Sequence, residues 1–163
     1  MKKTPVTFRF ANRGDCALIL HFIGRLAKYE KLEDEVIATE NLMEEWLFDK
    51  RAAEVIFAQI DGKEVGFALF FSSFSTFLGR AGLYLEDLFV LDEYRGQGVG
   101  TSMLRELART AVKRGYGRFE WACLDWNTTA IDFYSKFGAK PMDEWTTYRL
   151  SGAALADIAA SGE

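Results

Sequence analysis

Residues 94–100 read YRGQGVG, with glycine at 96, 98 and 100, directly before a long stretch of helical periodicity. Three glycines so close together weaken any helix or strand, so their use lies elsewhere. Glycine accepts positive φ and leaves main-chain amides bare. At a helix start those amides have no partner within the helix, and the positive end of the helix dipole adds to them, so the position attracts phosphate. The plain alternative is a tight, glycine-rich surface turn. A second place for chemistry is the adjacent carboxylate pair Glu86 and Asp87, in a strand-like run just upstream. Strand alternation predicts opposite faces for the two, so that only one lines a site, and the pattern alone does not say which.

Two phosphate-binding motifs fail on spacing. A Walker loop needs Gly-Lys-Ser/Thr, whereas Gly100 is followed directly by Thr101. A dinucleotide fingerprint needs G-x-G-x-x-G; here the third glycine comes one residue early, although Glu120 stands 20 residues after Gly100. Too little chain follows Glu120 for a second mononucleotide half.

The elements that must position these residues follow from periodicity. Residues 6–10 alternate as a strand, and Asn12 with Asp15 resembles an N-cap pair opening a helix with Leu18, Phe22, Leu26 and Tyr29 on one face. Thr39 is expected to cap a second helix carrying Leu42, Met43, Trp46 and Leu47. Strands are expected over 53–60 and 64–71 around the turn Asp61-Gly62, then a loop over 71–80, and a central strand over 83–91. A helix over about 98–114 ends at Gly115 and Gly117, a strand runs over 117–124, and Asn127-Thr128 opens a helix that Gly138 stops. A last strand is expected over 145–150, and a weakly structured tail over 151–163. The order makes a single mixed α/β domain over residues 1–163.

Composition narrows the partners. The 163 residues are 49% hydrophobic and carry a net charge of −4, which argues against a general nucleic-acid surface. There is no run of 18 apolar residues, so no membrane segment is expected and the chain reads as cytoplasmic. Cys16, Cys123 and the single His21 have no metal-ligand spacing; reduced thiols and a packed or surface histidine are expected, with no metal.

Residues 95–100 resemble the Arg/Gln-x-x-Gly-x-Gly/Ala pyrophosphate loop of the GNAT acetyltransferase superfamily. The resemblance extends over nearly the whole chain to the spermidine/spermine and thialysine acetyltransferases, through LAKYE at 26–30, LYLEDLFV at 83–90, Trp126-Asn127, Phe133-Tyr134 and Gly138-Ala139. It implies a GNAT fold, a mixed central sheet of about six to seven strands flanked by about four helices. It implies acetyl-coenzyme A as cofactor, held by main-chain groups of Leu88, Phe89 and Val90, by Arg95, Gly96, Gln97, Gly98, Val99, Gly100 and Thr101, and by Asn127, Thr128, Thr129, Ala130 and Tyr134. Arg95 would add charge or shape the turn; Asn127 would bond the cofactor or cap its helix. Tyr134 is implied as the general acid that protonates the leaving thiolate, and Glu86, rather than Asp87, as the base. Tyr29, Glu30, Glu86, Glu120, Trp121 and Ala122 would line the acceptor site. The implied reaction is direct acetyl transfer to a primary amine of a small cationic acceptor, in a homodimer. Another acceptor (an aminoglycoside, amino acid or protein amino group) and a non-catalytic coenzyme-binding module are the alternatives. The stretch with Phe74, Phe77 and Leu78 departs from the polyamine enzymes, which puts the acceptor, not acetyl transfer, in question.

Overall fold

A computed structural model describes residues 5–162. The chain groups into two compact units, Met1–Ala122 and Cys123–Glu163. The first holds a five-stranded sheet in the order β1-β2-β3-β4-β5, fewer strands than the six to seven expected. These are β1 Thr7–Phe10, β2 Glu54–Ile60, β3 Lys63–Ser75, β4 Arg80–Val90 and β5 Phe119–Trp121. The first four pair antiparallel, and β5 returns parallel to β4 after the crossover helix α3, Val99–Lys113.

The N-cap pair is present. Asn12 accepts from the Gly14 N–H and the Asp15 carboxylate from the Asn12 N–H, closing a capping box around a 3-10 turn that leads into α1, Cys16–Glu30. Arg9 of β1 grips the same Asp15 with both terminal nitrogens, at 2.8 and 2.9 Å, which fixes the helix start against the first strand. Thr39 caps α2, Glu40–Met43, which continues as a π-helical stretch, Glu44–Asp49. The Asp61-Gly62 turn joins β2 and β3 with φ of 51° and 76°, the pair of positive angles a two-residue hairpin turn requires.

Register explains the core. Phe57, Phe67 and Phe89 lie directly opposite one another across β2, β3 and β4. Phe22 of α1 packs on that row, 5.9 Å from Phe57 and 5.3 Å from Phe67 between ring centres. The next row, Ala58, Gly66 and Val90, belongs to the other face, where α3 lies; a Cβ on Gly66 would stand 2.9 Å from Met103 Sδ and 3.0 Å from the Phe89 carbonyl oxygen. Buried residues on both faces account for the apolar runs in β2 and β4.

Four expectations are corrected. Residues 71–80 are not a loop: β3 runs on to Ser75, β4 begins at Arg80, and only the tip 76–79 is a turn. The serines marked a loop by composition, yet Ser72, Ser73 and Ser75 each pair with a residue of β4 along the ladder. The strand over 117–124 shrinks to Phe119–Trp121, leaving Cys123 beyond it. Residues 145–150 form no strand; the unit Cys123–Glu163 has no strand among the described residues, and β-propensity has nothing to act on without a partner. The tail carries a helix, α5 Gly152–Ala160, because alanine, which suggested weak packing, is also the best helix former. Before it comes α4, Thr128–Ser135, as expected. No helix of the described residues is long and apolar enough to cross a membrane.

Phe67 is fully buried at the centre of the aromatic row. Phe67→Ala should cost about 3–5 kcal/mol, read as a fall in the urea midpoint with unchanged slope; a loss below about 1 kcal/mol would show that the row is not the centre of the core.

Candidate active site

The approach to α3 is built from backbone geometry. A 3-10 turn at Asp92–Tyr94 leaves β4, Arg95 is extended, and Gly96 and Gly98 take φ of 73° and 88°. Such angles are strained for L side chains, so both glycines are required by conformation. Gly98 is the N-cap of α3 and brings no side-chain acceptor to the first-turn amides. A Cβ at Gly96 would meet nothing within 4 Å, so no protein atom fills the cradle there. Bare first-turn amides, an open cradle and a 15-residue helix behind them suit a diphosphate. Gln97 Nε2 donates back to the Glu93 carbonyl at 2.9 Å and stiffens the turn. Arg95 turns toward β4: its Nε donates to the Val90 carbonyl at 3.0 Å, and its guanidinium lies over Tyr29 and Phe89.

The β4 ladder carries an irregularity at the carboxylate pair. Leu69 of β3 opposes Asp87 and Phe70 opposes Leu85, so Glu86 has no partner and is an inserted residue. Strict alternation therefore fails here. Phe71 and Leu69 share a face of β3, so their partners Tyr84 and Asp87 share a face of β4, the one that also holds Phe89 and α1. The strict alternation expected at Glu86 and Asp87 is broken by that one extra residue. On β4's other side, pairing with β5 covers Leu83, Tyr84 and Leu85 only. Leu91 N–H donates to Val65 on β3, so the main-chain groups of Leu88 and Val90 point to the opposite edge, beyond the reach of the β5 ladder.

Electrostatics confirm the grouping. Burial, then the charges of Glu86 and Glu30, push the Asp87 carboxyl up to about 6. Burial also raises Glu30, at the end of α1. Tyr84, opposite Glu120 on β5 and stacked 5.1 Å from Phe71, is raised by burial and then by Glu86 and Glu120. Asp87 thus feels two other carboxylates, its neighbour Glu86 and Glu30 from the end of α1. Glu120 is engaged otherwise: its Oε2 sits 2.8 Å from Arg118 Nε, close enough for charge attraction but off the N–H direction, so that N–H stays buried without a hydrogen-bond acceptor. Trp121 is opposite Leu85, on the face away from Glu120, and Ala122 follows it.

In the second unit Asn127 caps α4, its side chain accepting from the Ala130 N–H at 3.2 Å, which settles the capping role. Thr128 and Thr129 form the first turn, and Tyr134 lies on the last, its ring 5.4 Å from that of Phe133. Asp87 and Arg118 are the polar residues that periodicity missed. The adjacent Glu-Asp pair was visible, but nothing in the sequence announces an inserted strand residue.

Residues 21–139 match the acetyltransferase (GNAT) family. The chain is 37% identical to a thialysine N-epsilon-acetyltransferase of Sus scrofa, over 94% of this chain and 97% of that protein. It is 46% identical to an L-ornithine N5-acetyltransferase of Arabidopsis thaliana over 57% of this chain and 41% of that one. Among solved structures, an integron cassette protein from the mobile metagenome of V. cholerae superposes with a TM-score of 0.79 at 28% identity, covering 96% of this chain and 98% of the other.

A carboxyl that holds its proton more tightly folded than unfolded costs stability as pH rises. For Asp87 the cost begins above its unfolded value near 4 and is complete above about 6. Asp87→Asn should therefore raise the melting temperature by a few degrees at about pH 7.5, and the gain should vanish toward pH 4. Thermal melts across that range check it; a gain independent of pH would mean that Asp87 is not strained by its surroundings.

Proposed function

The chain belongs to the acetyltransferase (GNAT) family and is an acyltransferase that acetylates amines, and from that premise we propose that it serves a small cationic acceptor with a primary amine, a diamine or thialysine-like amino acid. One observation carries the choice of acceptor: Asp87, on the α1 side of β4, is buried and feels the charges of its neighbour Glu86 and of Glu30, which makes its own negative charge costly. An ammonium would relieve that cost. The names of the relatives, whose printed substrates are thialysine and ornithine, point the same way. The family match crosses the boundary between the two units, which supports reading residues 1–163 as one acetyltransferase domain.

Acetyl-coenzyme A would be the donor, supplying an acetyl group already activated as a thioester. The amides from Gly96 to Thr101 would hold its diphosphate, with the dipole of α3 behind them. The outward main-chain groups of Leu88 and Val90 would bind its arm, and an N–H there would hold the carbonyl oxygen as charge develops. Asn127, Thr128, Thr129 and Ala130 would bind the coenzyme as well, as the family resemblance implies. Glu86 would take the proton from the acceptor ammonium, and Glu30, Asp87 and Tyr29 would hold that ammonium in place. Tyr134 Oη would give a proton to the departing sulfur. Cytoplasmic location and a two-fold homodimer complete the proposal.

Release of free thiol across a panel of diamines, basic amino acids and aminoglycosides tests the reading directly. Diamines or thialysine-like amino acids should give the highest kcat/KM; turnover confined to aminoglycosides would overturn the acceptor. With the best acceptor, Tyr134→Phe should slow turnover about 10²–10⁴-fold with coenzyme A affinity kept. Glu86→Gln should lose most at low pH, where few acceptor amines are neutral, and recover in part as pH rises. Near-wild-type turnover in the first variant, or a flat rate ratio across pH in the second, would remove the role assigned. Light scattering at micromolar concentration should report a dimer; a monomer would overturn the assembly.

A further inference from the structure

Arg95 opens the glycine loop, yet its charged end is turned back from it. Nε donates to the Val90 carbonyl at 3.0 Å, and Nη2 stands 3.1 Å from the Asp92 carboxylate. The guanidinium carbon lies 4.6 Å from the centre of the Tyr29 ring and 4.9 Å from that of Phe89. The two rings meet edge to face at 6.4 Å. Of these four partners, Val90, Asp92 and Phe89 belong to the chain just ahead of the loop, whereas Tyr29 comes from the end of α1. That end is itself held: the left-handed cap residue Lys31 returns its N–H to the Ala27 and Lys28 carbonyls.

A planar guanidinium suits this setting, because it stacks on rings and hydrogen-bonds in its own plane together. The loop beyond it holds two positive-φ glycines and is tied back by the Gln97 side chain to the Glu93 carbonyl; any order still to be gained during binding would weaken affinity. Pinning Arg95 removes part of that loss in advance. We propose that Tyr29 is a positioning residue for the glycine loop, its ring clamping the Arg95 guanidinium against Phe89 so that the loop amides are arrayed before a diphosphate-bearing ligand arrives. Tyr29 thus acts on the cofactor side through Arg95, in addition to the acceptor side it shares with its neighbour Glu30. The inference rests on the coenzyme A reading above.

Calorimetric titration with coenzyme A, well below the melting temperature of each protein and without an acceptor, separates the possibilities. Tyr29→Leu, which keeps bulk but loses the ring face, should raise the coenzyme A Kd about 3- to 30-fold. Tyr29→Phe, which keeps the face and loses the hydroxyl, should retain the wild-type Kd. Should Tyr29→Leu fail to fold, Tyr29→Gln, a good helix former at this half-exposed position, takes its place with the same expectation. Wild-type affinity in the variant without a ring would overturn the proposal and leave Tyr29 to the acceptor alone. Equal losses in Tyr29→Phe and Tyr29→Leu would also overturn it, by assigning the effect to the hydroxyl. No binding of coenzyme A by the wild-type protein would instead overturn the donor reading, and this inference with it.

Discussion

One extra residue in β4 sets the phase of everything around it. Upstream of Glu86, Leu83 and Leu85 are buried on the face covered by α3; downstream, Phe89 and Leu91 join the cluster beneath α1. A regular strand cannot satisfy both halves, because residues separated by an even number would share a face. The insertion at Glu86 shifts the alternation once, and both apolar sets reach their own layer. The same shift turns Asp87 toward Glu30 and coincides with the end of pairing to β5. Core packing and the chemistry of the site are therefore two results of a single break in register.

Much of this arrangement was legible in the sequence. The glycine triplet announced a helix start, and positive φ at Gly96 and Gly98 is the conformation those glycines permit. Asn12 with Asp15, Thr39 and the Asp61-Gly62 turn each encode their own local hydrogen bonds, and each is found in place. What could not be read depends on distant partners. Whether residues 71–75 are strand or loop is decided by the opposing residues of β4, not by their own serines. Residues 145–150 have the composition of a strand and no partner within their unit. At Glu86 and Asp87 strict alternation was expected and the ladder is broken instead, since alternation has no way to signal its own interruption.

The site also shows where stability was yielded. Burying Asp87 beside two other carboxylates disfavours its charged form, a cost met by packing elsewhere, chiefly by the rows of phenylalanine in β2, β3 and β4. By contrast, Asp15 receives both terminal nitrogens of Arg9 and the Asn12 N–H, and its carboxyl is held below its ordinary value. The two acids shift in opposite directions because Asp15 has a cation within the fold, whereas the charges that reach Asp87 are those of other carboxylates.

The broken ladder has a bearing on how the protein behaves in company. A strand whose outer side lacks a neighbouring strand offers unpaired N–H and C=O groups to any other extended chain, and flat, uncharged stretches of that kind nucleate aggregates. From Glu86 to Val90, β4 runs past the end of β5. Yet this stretch begins with a bulge, which twists it out of line, and with two successive carboxylates, which repel an incoming backbone and resist desolvation. The irregularity that sets the phase of the core thus also guards a sheet margin against adding foreign strands.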